Sequence, residues 1–125
     1  MNGNRFLLDT HIILYMLSGD KTIAEYLQNQ ILYTSIICEI ELFSYQSISF
    51  SQEKEIRKFL NEFRIIAIDQ SIKDLSIQLR KKYALKIPDT IIASTAISLG
   101  IPLVTSDKGF KKVSELSIDL YNKIT

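Results

Sequence analysis

Four acidic residues carry the chemistry of this chain. Asp9, Glu41, Asp89 and Asp107 each adjoin an apolar run, in the contexts FLLDT, IICEIEL, KIPDTIIASTA and PLVTSDKGF. An unpaired carboxylate is costly to bury, so such placement requires something that compensates the charge. Carboxylates converging at strand and helix ends form a site for a hard divalent cation. Each acid also has a purely structural reading. Asp9 and Asp89 suit helix N-caps, and Asp107 lies in the turn-forming run TSDKG. Glu41 competes with Glu39, because residues two apart do not share a helix face. ICEIELFSY is mostly apolar, so Glu41 is expected on the core side of its helix, with a partner. Asp69 reads as a turn residue and is left outside the site.

The elements that must position these acids alternate along the chain. Short apolar strands are expected over Arg5–Leu8, Ile31–Thr34, Arg64–Ile68 and Ile101–Thr105, with a weaker one over Ser117–Tyr121. Helices are expected over Thr10–Leu17, from an Asp20 cap through Gln28, and over Ile36–Gln46. Ser51 is expected to cap the next helix. Its positions Ile56, Phe59, Leu60 and Phe63 fall at i, i+3, i+4 and i+7, an apolar stripe. Ser71 with Asp74 resembles a capping box for a helix to about Tyr83. Pro88 is expected to precede a helix that starts at Asp89 or Thr90, runs through Leu99 and ends on Gly100. A loop and short helix follow Asp107 to Leu116.

Strands alternating with helices argue for an α/β fold with a parallel sheet covered on both faces. Ligands of such sheets bind beyond the carboxyl ends of the strands. Asp9 ends the first strand and Asp107 follows the fourth, so the two share an edge if those strands are neighbours. Asp89 and Glu41 are placed less firmly by this logic.

At 125 residues the chain reads as a single domain over residues 1–125. A formal net charge of +1 excludes a strongly basic nucleic-acid binder but not a local basic patch. One cysteine, Cys38, excludes an internal disulfide and, in its apolar setting, reads as an inert core thiol of a reducing compartment. The longest apolar run, Ile12–Leu17, is far short of the about 20 residues that span a bilayer. No targeting segment is evident. A cytoplasmic protein without membrane association is expected.

The motifs together resemble the PIN-domain family, and within it the toxin component of VapBC type II toxin–antitoxin modules. FLLDTHIILYML resembles the family's opening strand and first acid, Asp9. SIICEIELFSY resembles the segment in which a Ser starts a helix and an acid–Leu pair follows, which selects Glu41–Leu42 over Glu39. IPDTIIASTAISLGIPLVTSD resembles the acid-led helix followed by a strand ending in Thr-x-Asp, which gives Asp89, Asp107 and the polar neighbour Thr105. His11 stands where the family often has Asn, and Thr90 where a small or acidic residue is common. No acid of the quartet is missing.

The resemblance implies a three-layer α/β/α sandwich around a parallel sheet of about five strands in the order 3-2-1-4-5. It implies a ribonuclease in which Asp9, Glu41, Asp89 and Asp107 hold one or two Mg²⁺ or Mn²⁺ ions, with Thr105 orienting water or ligand. The substrate would be tRNA, rRNA or mRNA, and the partner a VapB-like antitoxin. A homodimer is also implied; Ile12–Leu17 and Phe43–Tyr45 are the segments expected to supply its interface. Lys108, Lys111 and Lys112 beside Asp107 are the leading phosphate contacts, ahead of Arg80, Lys81, Lys82 and Lys86. Two rivals remain: a catalytically silent module of the same fold that only binds protein, and a receiver-like Mg²⁺-binding signalling domain. The receiver reading lacks the paired acids it needs near the first strand.

Overall fold

Leu7 and Leu8 define the architecture, because neighbouring strand residues point to opposite faces and both are completely buried. Their strand, β1 (Arg5–Leu8), is the centre of a five-stranded sheet in a computed structural model that describes residues 3–122. Around it lie β2 (Ile31–Ser35), β3 (Arg64–Ile66), β4 (Leu103–Thr105) and β5 (Ile118–Leu120). The order is β3-β2-β1-β4-β5 and every pairing is parallel. This is the expected sandwich. It is not the 2-1-3-4-5 order of response-regulator receivers, and the receiver reading ends there.

Each face of the sheet is covered by helices, as a parallel sheet requires. Leu7, Tyr33 and Leu103 pack with Leu79, Ile92 and Phe110, the side of α5 (Gln70–Lys82) and α6 (Ile87–Leu99). Leu8 and Val104 pack with Ile12, Ile23, Leu42 and Leu60, the side of α1 (Thr10–Leu17), α2 (Lys21–Tyr26), α3 (Ile36–Phe43) and α4 (Phe50–Leu60). A 3₁₀ helix over Lys108–Lys112 links β4 to the last strand.

Several boundaries differ from the sequence expectation, and the cause is capping. Ser49, not Ser51, caps α4, because Gln52 closes a capping box back onto it. Asp69, not Ser71, caps α5 by accepting from the Ile72 amide, while Asp74 accepts from Gln70. Asp69 thus has the structural role expected of it, in stronger form. Pro88 sits inside the first turn of α6, where its missing N–H breaks no helical bond. The helix ends on Gly100 in the left-handed conformation, as expected. Helix α3 stops at Phe43, short of Gln46, with Ser44 donating back to Ile40. The strands β3 and β4 are shorter than expected. In the segment Ile12–Leu17, Ile12 and Ile13 are core residues and are not open to a partner. Leu14, Leu17, Tyr45, Ile48 and Ile56 line a groove of about 330 Å³ instead.

The central strand enters the sheet through a tight contact. A Cβ at Gly3 would lie 2.0 Å from the Asn29 carbonyl oxygen and 2.7 Å from Gln30 Cα, both backbone atoms. Next to it, Ile31 donates its amide to the Asn4 carbonyl at 2.8 Å, the first rung between β2 and β1. Gly3→Ala is expected to destabilise the protein by about 1–3 kcal/mol, read from urea unfolding. An unchanged midpoint would show that this entry to the sheet gives way freely.

Candidate active site

The carboxyl ends of β1, β2 and β4 form one edge, and the acids are distributed around it. Asp9 follows β1 directly. Its amide donates to the Val104 carbonyl at 3.1 Å, so the residue stays locked against β4 beyond the end of its strand. It is also the N-cap of α1, accepting at Oδ1 from the Thr10 amide at 2.7 Å. Its other oxygen, Oδ2, accepts from the Thr105 hydroxyl at 2.7 Å. The structural and functional readings of Asp9 are therefore both true. Asp9 is buried, and burial raises its pKa above the usual carboxylate value. The Thr105 and Thr10 hydrogen bonds and the charge of His11 act against that rise, and Glu41 adds to it.

Thr105, completely buried at the end of β4, connects two of the acids. Its Oγ1 donates to Asp9 and accepts from the amide of Asp107 at 3.1 Å. Asp107 is exposed, and its Oδ1 accepts from the Gly109 amide at 2.8 Å, which caps the 3₁₀ helix. Asp89 lies half-buried in the first turn of α6. Its pKa is raised, first by desolvation and then by the negative charges of Asp9, Asp107 and Glu41, with Lys86 acting in the opposite sense. One carboxyl is thus within the field of all three others.

Glu41 departs from expectation. It is exposed, while its neighbour Leu42 faces the core, so burial is not what fixes it. Its partner is Thr10, whose Oγ1 donates to Glu41 Oε1 at 2.6 Å. Glu39 is half-buried one side-chain pair away on the same helix. Thr10 was missed as a positioning residue. The signal available was a buried hydroxyl directly after Asp9, which could have been read as a second link in the network. Cys38 beneath it is inert: burial pushes its thiol up to about 11.

Among the described residues no Lys or Arg forms an ion pair with any of the four acids, and Lys86 and His11 act on Asp89 and Asp9 only from a distance. Among the described residues the ion pairs are Arg57–Glu53 and Lys82–Glu115, and neither involves the four acids. No three His, Cys, Asp or Glu side chains among the described residues are grouped as a ready-made ion cage. Bare carboxylates repel, and here neutral donors hold Glu41 and Asp107 in separate places. The donor set nevertheless fits a hard cation: all ligands are oxygen, all are anionic, and none is paired to Lys or Arg.

The fold and site define a class, and comparison with known proteins agrees. The family model for the PIN domain matches residues 6–116. The chain belongs to the PIN-domain family, whose members are generally nucleases that typically use divalent metal ions. Within that family, a chain of a toxin–antitoxin complex from Klebsiella pneumoniae is 30% identical, with a TM-score of 0.80 over 94% of this chain and 98% of that one. A chain of VapBC2 from Rickettsia felis, bound to a DNA fragment from its promoter, is 25% identical, with a TM-score of 0.75 over 94% and 99%. A chain of VapBC-1 from nontypeable Haemophilus influenzae is 25% identical, with a TM-score of 0.74 over 93% and 97%. No curated protein matches the sequence. No helix among the described residues is long and apolar enough to cross a membrane.

The repulsion on Asp89 has a measurable consequence. Asp89→Asn is expected to raise the melting temperature of metal-free protein, because it removes a desolvated charge from the field of three others. Mn²⁺ is expected to stabilise the wild type by about 2.7 kcal/mol at a hundredfold excess over Kd, and the variant by much less. Scanning calorimetry with and without the ion tests both. A variant less stable than wild type without metal would show that the four charges do not oppose one another.

Proposed function

We propose that this chain is a Mg²⁺- or Mn²⁺-dependent endoribonuclease and the toxin of a type II toxin–antitoxin module. It acts in the cytoplasm and cuts tRNA, rRNA or mRNA to arrest translation and growth. What supports this reading is that Asp9 and Asp107 follow neighbouring strands at one sheet edge, linked through Thr105, and that none of the four acids has an ion-pair partner among the described residues. The toxin–antitoxin complexes among its structural relatives support the biological setting.

Asp9, Glu41, Asp89 and Asp107 would hold the cation. When bound, it supplies Lewis-acid neutralisation of phosphate charge and lowers the pKa of water for attack. The rest is done by the chain. Thr105 keeps Asp9 oriented and ties it to the backbone of Asp107. Thr10 keeps Glu41 turned toward the edge. Lys108 and Lys111, three apart on the 3₁₀ helix, share one of its faces and are placed to meet substrate phosphates. Lys112 is a poorer contact than its neighbours, since its Nζ donates to the Ala84 carbonyl at 2.9 Å and holds the α5–α6 connection. A small VapB-like antitoxin inhibits by crossing the acidic edge, where one Arg among the carboxylates substitutes for the cation charge. What weighs against the silent-module reading is that no acid of the quartet is missing from the sequence.

Purified protein is expected to cleave RNA only with Mg²⁺ or Mn²⁺, and Asp9→Asn to abolish cleavage. Thr105→Val, which keeps the shape and removes the hydroxyl, is expected to lower activity about 10–100-fold. Mapping of new 5′ ends checks all three. Equal cleavage by Asp9→Asn would remove the nuclease assignment.

A further inference from the structure

Asp89 is held differently from the other three acids. Asp9, Glu41 and Asp107 each accept a hydrogen bond from a hydroxyl or an amide. The Asp89 carboxylate accepts none among the described residues, so its place is set by where the first turn of α6 begins. That start has no side-chain cap: Lys86 stands at the N-cap position and makes no capping hydrogen bond. The connection 83–86 must therefore be fixed from outside.

It is fixed at three consecutive residues. The Leu85 carbonyl accepts from Arg80 of α5 at 2.6 Å, while the Leu85 side chain is buried in the core. The Ala84 carbonyl accepts from Lys112 Nζ at 2.9 Å. The Tyr83 hydroxyl donates to Glu115 Oε1 at 2.6 Å and accepts from the Ser114 amide at 3.3 Å. Lys82 completes the cluster, with its Nζ 2.9 Å from Glu115 Oε2.

Glu115 is the acid of this cluster and is not a spare ligand for an ion. The Tyr83 hydrogen bond first, and that of Lys82 second, hold its carboxyl down to about 2. An exposed ion pair such as Lys82–Glu115 contributes little by itself. Tyr83 adds a charge-assisted bond to the same carboxylate, and Lys112 adds a further tie from the same segment.

The two stretches joined in this way are those that present Asp89 and Asp107. Asp107 opens the 3₁₀ helix that carries Lys112, and Asp89 lies in the first turn after the connection. The two acids feel each other's charge. Asp9 needs no such tie, because β1 and β4 are neighbours and Thr105 links it to Asp107.

We propose that Tyr83 and Glu115 are positioning residues of the acidic edge: their bond closes the connection 83–86 onto the segment after Asp107 and so sets the spacing of Asp89 from Asp107. The inference rests on the reading of these acids as cation ligands. Neither Tyr83 nor Glu115 is itself a ligand.

Titration calorimetry of RNA-free protein with Mn²⁺ tests it. Tyr83→Phe and Glu115→Gln, which keep the ring and the chain length, are each expected to weaken Mn²⁺ binding about tenfold. The double variant is expected to lose no more than either single one, because both remove the same bond. Gly3→Ala, beyond the other end of β1, is expected to lower stability and leave Mn²⁺ affinity unchanged. Circular dichroism confirms that each variant is folded. Wild type that takes up no Mn²⁺ would overturn the cation reading and this proposal with it. Wild-type affinity in both Tyr83→Phe and Glu115→Gln would overturn the proposal alone. Equal weakening by Gly3→Ala would overturn it too, since the effect would then follow stability and not position.

Discussion

The edge of the sheet depends on acids oriented by neutral groups, with no ion pair to any of them among the described residues. Hydroxyls and backbone amides fix three of them: Thr10 on Glu41, Thr105 and the Thr10 amide on Asp9, and the Gly109 amide on Asp107. A Lys or Arg in any of those places would have cancelled the charge that a hard cation requires. Neutral donors orient a carboxylate without cancelling its charge. The remaining repulsion falls on Asp89, whose pKa rises for that reason as well as through desolvation.

The scaffold makes this arrangement tolerable. Asp9 belongs to the backbone ladder through Val104 even though its strand has ended, and it begins α1 at the same time. Sheet and helix therefore both hold its main chain while its side chain faces the edge. The strands on either side are anchored in the same way: β2 runs into the Ser35 cap of α3, and β4 runs through Thr105 to Asp107. Each acid is one short connection from a strand or helix with buried apolar contacts. Little of the site depends on long loops.

The fold class was legible in the sequence, and the sequence also nominated the four acids, for separable reasons. Short apolar strands alternating with helices indicated a covered parallel sheet, and strand-end acids indicated the edge. Glu41 was chosen over Glu39 on resemblance, whereas the physical argument for it, burial, proved false; a hydrogen bond across 31 positions from Thr10 holds it. No local pattern contains that information. Helix starts were misjudged at Ser51 and Ser71, because a capping residue competes with others two positions away and the winner depends on which side chain reaches back. The strand lengths were overread for a similar reason: an apolar residue continues the pattern after its hydrogen-bond partner has gone.

Thr105 gives the network a direction. A hydroxyl carries one proton, and here it goes to Asp9 while the oxygen accepts from the Asp107 amide. The ionised form of Asp9 is the stronger acceptor. A proton placed on Oδ2 itself would oppose the Thr105 hydroxyl, and the relay to Asp107 would have to rearrange. A valine would fill the same volume but erase the sense of the chain, whereas a serine would keep the sense and lose only a methyl contact. The residue thus acts as a diode in the wiring of the edge, passing orientation from one acid to the next in a single polarity.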